Sequence, residues 1–321
     1  MNGIKTPAGK ALQASRQVPS AISTVRAYAD LLRIHFFFAW PLLFCSGFSL
    51  AVIRYGGFSW DLAVRALFIA FCGFEAGLVL NDWVDREHDR LDVERSGLTR
   101  YWRPFGTRPI PSGSIPENAV LVVFILLAGA AIALALTLPF PHSIFVVAIA
   151  VYSYSVEAFY QRAKRSQSFP LAQLVGRTDL ALFPAAGYLV AGFPDWTALL
   201  LVIFLYPFAQ AHLGVNDLAD LKNDLARGMK TVTVLYSARA TSFWIAGFTI
   251  VHLAVSTYFL PRLGLAALAG WLGGGVLLVA ANFIVLRRPD PESGLKALPL
   301  FHGTMVLYSI AIIVNAAFFM G

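Results

Sequence analysis

Long apolar runs alternate along the chain with short polar, mostly basic segments, and the runs are longer than core helices of a soluble domain require. A bilayer core needs about 20 apolar residues per helix. Nine stretches meet that need: Leu32–Ile53, Leu62–Leu80, Ala119–Leu138, Ser143–Tyr160, Leu171–Gly192, Thr197–Val215, Thr241–Leu260, Leu265–Leu286 and Leu298–Phe319. Prolines and glycines punctuate most of the gaps, as they do where helices end. No segment alternates with period two for long enough to build a barrel strand. The pattern predicts an all-α polytopic membrane protein, with nine spans in one bundle around a central cavity. The bundle covers 32–321, and loops at about 82–117 and 216–240 cap one end. Residues 1–31 form a polar tail that ends in an interfacial segment near Ser23–Leu32.

Composition supports lipid as the solvent: 58% of the 321 residues are hydrophobic and 13% charged, against about a quarter charged in a soluble domain. The net charge of +7 does not indicate nucleic acid, because the basic residues lie in short pieces between apolar runs rather than on one soluble face. Cys45 and Cys72 fall inside apolar runs, without metal or redox spacing, and are read as packing residues. The first thirty residues lack the apolar core of a cleavable signal. Lysine and arginine concentrate in alternate loops, including Arg86–Arg108, Arg162–Arg165 and Lys222–Arg239. The positive-inside rule therefore places the N-terminus and these loops in the cytoplasm, with the C-terminus on the opposite side.

Two of these basic loops open on one acidic pattern. Span two runs into Asn81-Asp82-Trp83-Val84-Asp85-Arg86-Glu87-His88-Asp89, and span six into Asn216-Asp217-Leu218-Ala219-Asp220-Leu221-Lys222-Asn223-Asp224. Both read N-D-x-x-D-x-x-x-D. On a continuous helix, positions i, i+4 and i+8 stay within roughly 80° of one another. Asn81, Asp85 and Asp89 then share one face, as do Asn216, Asp220 and Asp224. Asp82 and Asp217 sit about 100° around from the asparagines, in a supporting position. Oxygen-only ligands suit a hard cation, and Mg²⁺ usually takes one or two carboxylates with substrate phosphate oxygens. Two such faces across a cavity would cradle a diphosphate between metal ions. A P-loop is absent, so nucleotide hydrolysis is not indicated. One acidic helix end could be mere solvated charge; two with matching spacing on one side of the membrane argue against that.

The segment from Asn81 to Asp89, followed by Arg108-Pro109-Ile110-Pro111-Ser112-Gly113, resembles the first aspartate-rich motif of UbiA-type intramembrane prenyltransferases. Asn216–Thr231 resembles their second. With nine spans, the resemblance covers most of the chain. It implies a prenyl diphosphate donor held through Mg²⁺ by Asn81, Asp85 and Asp89 on one side and Asp220 and Asp224 on the other, with Asp82, Asn216 and Asp217 in support. Arg108, Lys222 and Lys230, and more remotely Lys164 and Arg165, are the implied diphosphate cations. Tyr152, Tyr154 and Phe183 are candidates for facing the carbocation left when the allylic C–O bond ionises. The acceptor is a lipophilic, aromatic or other lipid-soluble nucleophile, and the isoprenoid tail lies between helices or against membrane lipid.

Two departures matter. Family members usually place only a few residues between the last aspartate and Arg-Pro-x-Pro, whereas here Arg90–Thr107 intervenes, as a lid or as a surface elaboration. The Tyr152–Ser168 segment also differs from the family's short run from a tyrosine pair to Leu-Lys-Arg. Within span five, Arg177 and Asp179 are costly in lipid and read either as acceptor-recognition residues facing the cavity or as a structural pair, with their two-residue spacing on a helix favouring separate partners. His35, His212 and His302 read as packed or interfacial residues. A membrane terpene cyclase would use the same aspartates, and a transporter is a non-enzymatic alternative.

Overall fold

The computed structural model describes residues 20–320 of the chain; the tail before Ser20 lies outside the described residues. Helix α1 (Ala21–Leu31) leads into α2 (Ala39–Tyr55) and the 30-residue α3 (Trp60–Asp89), followed by the short α4 (Leu98–Trp102). Then come α5 (Glu117–Leu136), α6 (His142–Ala163), α7 (Leu171–Gly176), α8 (Thr178–Leu189), α9 (Trp196–Ala219), α10 (Leu221–Arg227) and α11 (Val232–Tyr236). The chain closes with α12 (Ala238–Phe259), α13 (Leu265–Arg287) and α14 (Pro291–Met320). Among the described residues, eight helices are long and apolar enough to cross a bilayer, and none of the structure is strand.

The expected fifth span is not one helix. At Arg177 (φ −84°, ψ 4°) it breaks into α7 and α8. Local chemistry favours the break: the Thr178 hydroxyl donates to the Val175 carbonyl at 2.6 Å, competing with the backbone ladder, and Gly176 lies against the Tyr160 ring. Helix α2 packs against α3, α8 and α14, α6 joins α3 to α8, and α9 packs against α8, α12 and α14, with α5 against α3 and α13 against α14. Nearly every side chain of α8 from Leu180 to Leu189 is buried. The outward faces of α5 and α13 stay apolar and exposed, with Leu126, Val276 and Phe283 among them, as lipid-facing surface does.

The 90–107 segment is part of the fold rather than an appendage. Buried Asp30 of α1 accepts backbone N–H bonds from Phe105 (2.7 Å) and Thr107 (2.9 Å). Asn223 accepts from the Val93 and Glu94 amides at 3.1 and 2.8 Å. The expected interfacial helix is therefore tied to the same loop that borders the acidic motifs.

Candidate active site

A cavity of about 280 Å³ opens between α3, α6, α8 and α9 beneath the two acidic helix ends. On α3 its lining runs from Ile69 to Asp89, about 30 Å of helix. The deep end is apolar, with Phe44, Ile69, Ala135, Val146 and Ala186; the mouth is charged. Because α3 remains helical through the first motif, Asn81, Asp85 and Asp89 all reach the cavity. The second motif bends: α9 ends at Ala219, Asp220 leaves helical geometry (φ −95°, ψ 8°), and α10 restarts at Leu221. Hydrogen bonds from Asp220 N to Asn216 O and from Asp224 N to Asp220 O, both 2.9 Å, carry the spacing across the bend. Asn216, Asp217, Asp220 and Asp224 line the opposite wall.

Cations interleave these carboxylates. Lys164 Nζ and Arg165 Nη2 lie 2.7 and 2.9 Å from the two oxygens of Asp85. Arg108 Nη1 is 2.6 Å from Asp89 Oδ2, and its Nε is 2.8 Å from Asp92. Arg227 pairs with Asp92 and reaches Asp220 at 3.3 Å and Asp89 at 3.5 Å. Burial works against the Arg108 charge, yet Asp89, Asp92 and Asp220 hold its pKa above the ordinary value. Burial, then the charges of Asp220 and Asp217, push the Asp224 carboxyl well above the carboxylate range. Burial also raises the Asp92 carboxyl.

These residues fit a hard divalent cation by donor chemistry. Asp217 Oδ2 and Asp89 Oδ1 are buried without hydrogen-bond partners, and crowding of Asp217, Asp220 and Asp224 is relieved by an added positive charge. Among the described residues, no three acidic, His or Cys side chains already sit as a closed ligand set.

Several expected site residues lie elsewhere. Asp82 does not line the cavity: Arg33 Nη2 donates to it at 2.9 Å and Arg103 Nη2 at 2.8 and 2.9 Å. Lys222 is exposed and pairs with Glu94 at 3.3 Å. Lys230 is exposed too, beyond the left-handed Gly228 (φ 68°) that ends α10. Neither lines the cavity; Arg227, which the sequence reading passed over, does. Tyr152 is exposed with its hydroxyl on Thr178 at 2.8 Å. Tyr154, Arg177, Asp179, Phe183 and Lys164 line the cavity, whereas Arg165 reaches the site only through Asp85. Arg177 and Asp179 form no ion pair; Arg177 lies 5.3 Å over the Tyr160 ring instead. Asn216 already accepts from Trp102 Nε1 at 3.1 Å. Through Leu98, Thr99, Trp102 and Arg103, the 90–107 segment supplies cavity wall, neither a detached lid nor surface decoration.

A membrane bundle that encloses an oily cavity under facing carboxylate clusters is built to act on amphiphiles inside the bilayer. The model of the UbiA prenyltransferase family matches residues 39–310, and the chain belongs to that family. It is 27% identical over 260 residues to a digeranylgeranylglyceryl phosphate synthase of Thermococcus kodakarensis, covering 78% of this chain and 84% of the relative. It is 25% identical over 265 residues to protoheme IX farnesyltransferase 1 of Cenarchaeum symbiosum, covering 81% and 83%. The structure of a UbiA homologue from Archaeoglobus fulgidus bound to DMAPP and Mg²⁺ superimposes with a TM-score of 0.64 at 16% identity, covering 89% of this chain and 99% of that one. The chain is an integral membrane prenyltransferase.

Proposed function

We propose that the chain moves a prenyl group from a prenyl diphosphate, bound with Mg²⁺ at the cavity mouth, to a lipophilic acceptor. The observation that carries this is the union of one long apolar cavity with two facing carboxylate walls and interleaved cations at its mouth. The Mg²⁺ and DMAPP in the Archaeoglobus homologue and the unpartnered oxygen of Asp217 support the metal requirement. Asp85, Asp89, Asp220 and Asp224 would hold the ion, which when bound neutralises charge developing on the leaving diphosphate. Asn81, Asn216 and Asp217 support those carboxylates, Asn216 with its backbone carbonyl on the Asp220 amide.

Lys164, Arg108 and Arg227 exchange their carboxylate partners for diphosphate oxygens, and Arg165 steadies Asp85. Preorganised cations in a dry site stabilise the departing anion strongly. The Phe183 ring packs edge-on to Phe44 and Phe74 at 5.2 and 5.1 Å. Together with Tyr154 and Tyr160 it gives the allylic cation π-faces and excludes water. The relatives' names differ in both prenyl group and acceptor, so this reading takes the donor side as common. The basic loops support a mouth on the cytoplasmic side, with 32–321 acting as one catalytic domain.

The test is incubation of purified protein with geranylgeranyl diphosphate and Mg²⁺, with and without a membrane lipid extract. Prenylated lipid appears only with acceptor and Mg²⁺; a cyclic hydrocarbon or alcohol released without acceptor would overturn the reading in favour of a cyclase. Donor chain length follows cavity depth. A Cβ at Gly77 meets nothing within 4 Å, and Gly77 lines the cavity. Gly77→Phe therefore fills open space, and should shift preference from geranylgeranyl toward dimethylallyl or geranyl diphosphate by about ten-fold or more. Equal use of long and short donors by the variant would show that the chain does not pass this point.

A further inference from the structure

Two arginines on the inner flank of the mouth have no part in the diphosphate cluster. Arg33 precedes the short helical turn at Ile34, and Arg103 ends α4. Both are buried and both line the cavity. Both are tied to one carboxylate, Asp82, at 2.8–2.9 Å. Asp82 lies seven residues before Asp89, about 10 Å deeper along α3, and Arg33 and Arg103 pair with it rather than with the carboxylates that Arg108 and Arg227 hold. Two guanidiniums share that one carboxylate, with the buried, unpartnered carboxyl of Glu75 also within electrostatic reach of Arg33.

Donors are left over as well. Arg33 Nη1, Arg103 Nε and Thr99 Oγ1 are buried without partners, and Thr99 also lines the cavity. Thr99 stands one helical turn before Arg103, whose backbone N–H bonds to its carbonyl at 3.0 Å. Arg33 itself sits at φ 44°, ψ 46°, a left-handed conformation that a non-glycine residue keeps only where its surroundings impose it. A purely structural clamp between α3 and the 90–107 segment accounts for the ion pairs. It leaves three donors without use.

We propose that Arg33, Arg103 and Thr99 form an anion subsite for the headgroup of the acceptor, a phosphate or carboxylate on an apolar chain. This rests on the prenyltransferase reading and adds the substrate class: an anionic amphiphile rather than a neutral one. Guanidinium forks match oxyanions in geometry and charge, and the threonine hydroxyl adds a third donor. Asp82 is a positioning residue that holds both guanidiniums side by side. Two of the three anion-facing residues come from the 90–107 segment, so that insertion sets acceptor choice.

The test uses the full-length protein in nanodiscs and calorimetric titration with an alkyl phosphate, an alkyl carboxylate and the alcohol of the same chain. Geranylgeranyl diphosphate with Mg²⁺ is titrated in parallel. Wild type should bind one of the two anions about ten-fold more tightly than the alcohol. Arg103→Gln should abolish that preference and leave diphosphate affinity unchanged. No anion preference in the wild type, or an undiminished one in Arg103→Gln, overturns the subsite. So does a proportionate loss of diphosphate affinity, which would assign these arginines to the donor. Thr99→Val keeps the Asp82 pairs and carries the test if Arg103→Gln does not fold: its anion preference must fall, and an unchanged preference overturns the subsite. Failure of the wild type to bind geranylgeranyl diphosphate at all would strike the donor reading instead, since the two ligands are measured separately.

Discussion

Asp85→Asn should lower the rate of diphosphate release from a prenyl donor by about 10²–10³-fold, the usual scale for removing one preorganised electrostatic contact. The amide has the shape of the carboxylate, so packing on α3 is preserved and the change is one of charge. Asp85 is buried and holds Lys164 at 2.7 Å and Arg165 at 2.9 Å. Losing its charge removes a metal ligand, and it also unseats Lys164 from the position it offers to the leaving group. Both effects act when negative charge builds on the diphosphate, so the loss should appear in kcat more than in KM. Single-turnover release of diphosphate, with thermal stability recorded on the same preparation, makes the measurement. A variant that releases diphosphate within about two-fold of wild type, below what one such contact contributes, would show that the first motif does not hold the metal.

The first motif was legible because nothing interrupts it. Period 3.6 alone places Asn81, Asp85 and Asp89 on one line when α3 runs unbroken to Asp89. The second motif was legible in composition but not in its cations. Lys222 stands two residues past Asp220, about 200° around the axis, and Lys230 lies beyond the helix-ending Gly228. Arg227 is seven residues past Asp220 and three past Asp224, on the motif's own face. That spacing was in the sequence, and basic residue type alone hid it. The break at Arg177 had a signal too, in the polar run Gly176-Arg177-Thr178-Asp179 inside an apolar stretch. The role of 90–107 had none. It depends on Asp30 capping Phe105 and Thr107 and on Trp102 meeting Asn216, contacts between residues more than seventy positions apart. The pairing of Asp82 had no signal either, since its two arginines come from just past α1 and from that segment, 49 and 21 positions away.

Gly47→Val should be the most destabilising single change in the bundle, because α2 and α8 meet there backbone to backbone. A Cβ at Gly47 would come 1.8 Å from the Pro184 carbonyl oxygen, and one at Gly187 would come 1.9 Å from that of Phe44. Overpacking usually costs about 1–3 kcal/mol because neighbouring side chains can rotate away. Here the neighbours are main-chain atoms, so the helices themselves must part, and the cost should reach about 3 kcal/mol or more. The site suffers with the fold. Helix α8 carries Asp179, Leu180, Phe183 and Ala186 to the cavity wall, and α2 carries Phe44 and Trp40 opposite. Separating them opens the apolar end to lipid and water. Because both glycines guard one crossing, the pair Gly47→Ala and Gly187→Ala should cost less than the sum of the single changes: once the first methyl has pushed the helices apart, the second finds room. Tm in detergent for the two single variants, the double variant and Gly47→Val settles it. A wild-type Tm for Gly47→Val would mean that the two backbones do not approach this closely, and that Phe183 is not held where the carbocation is proposed to form.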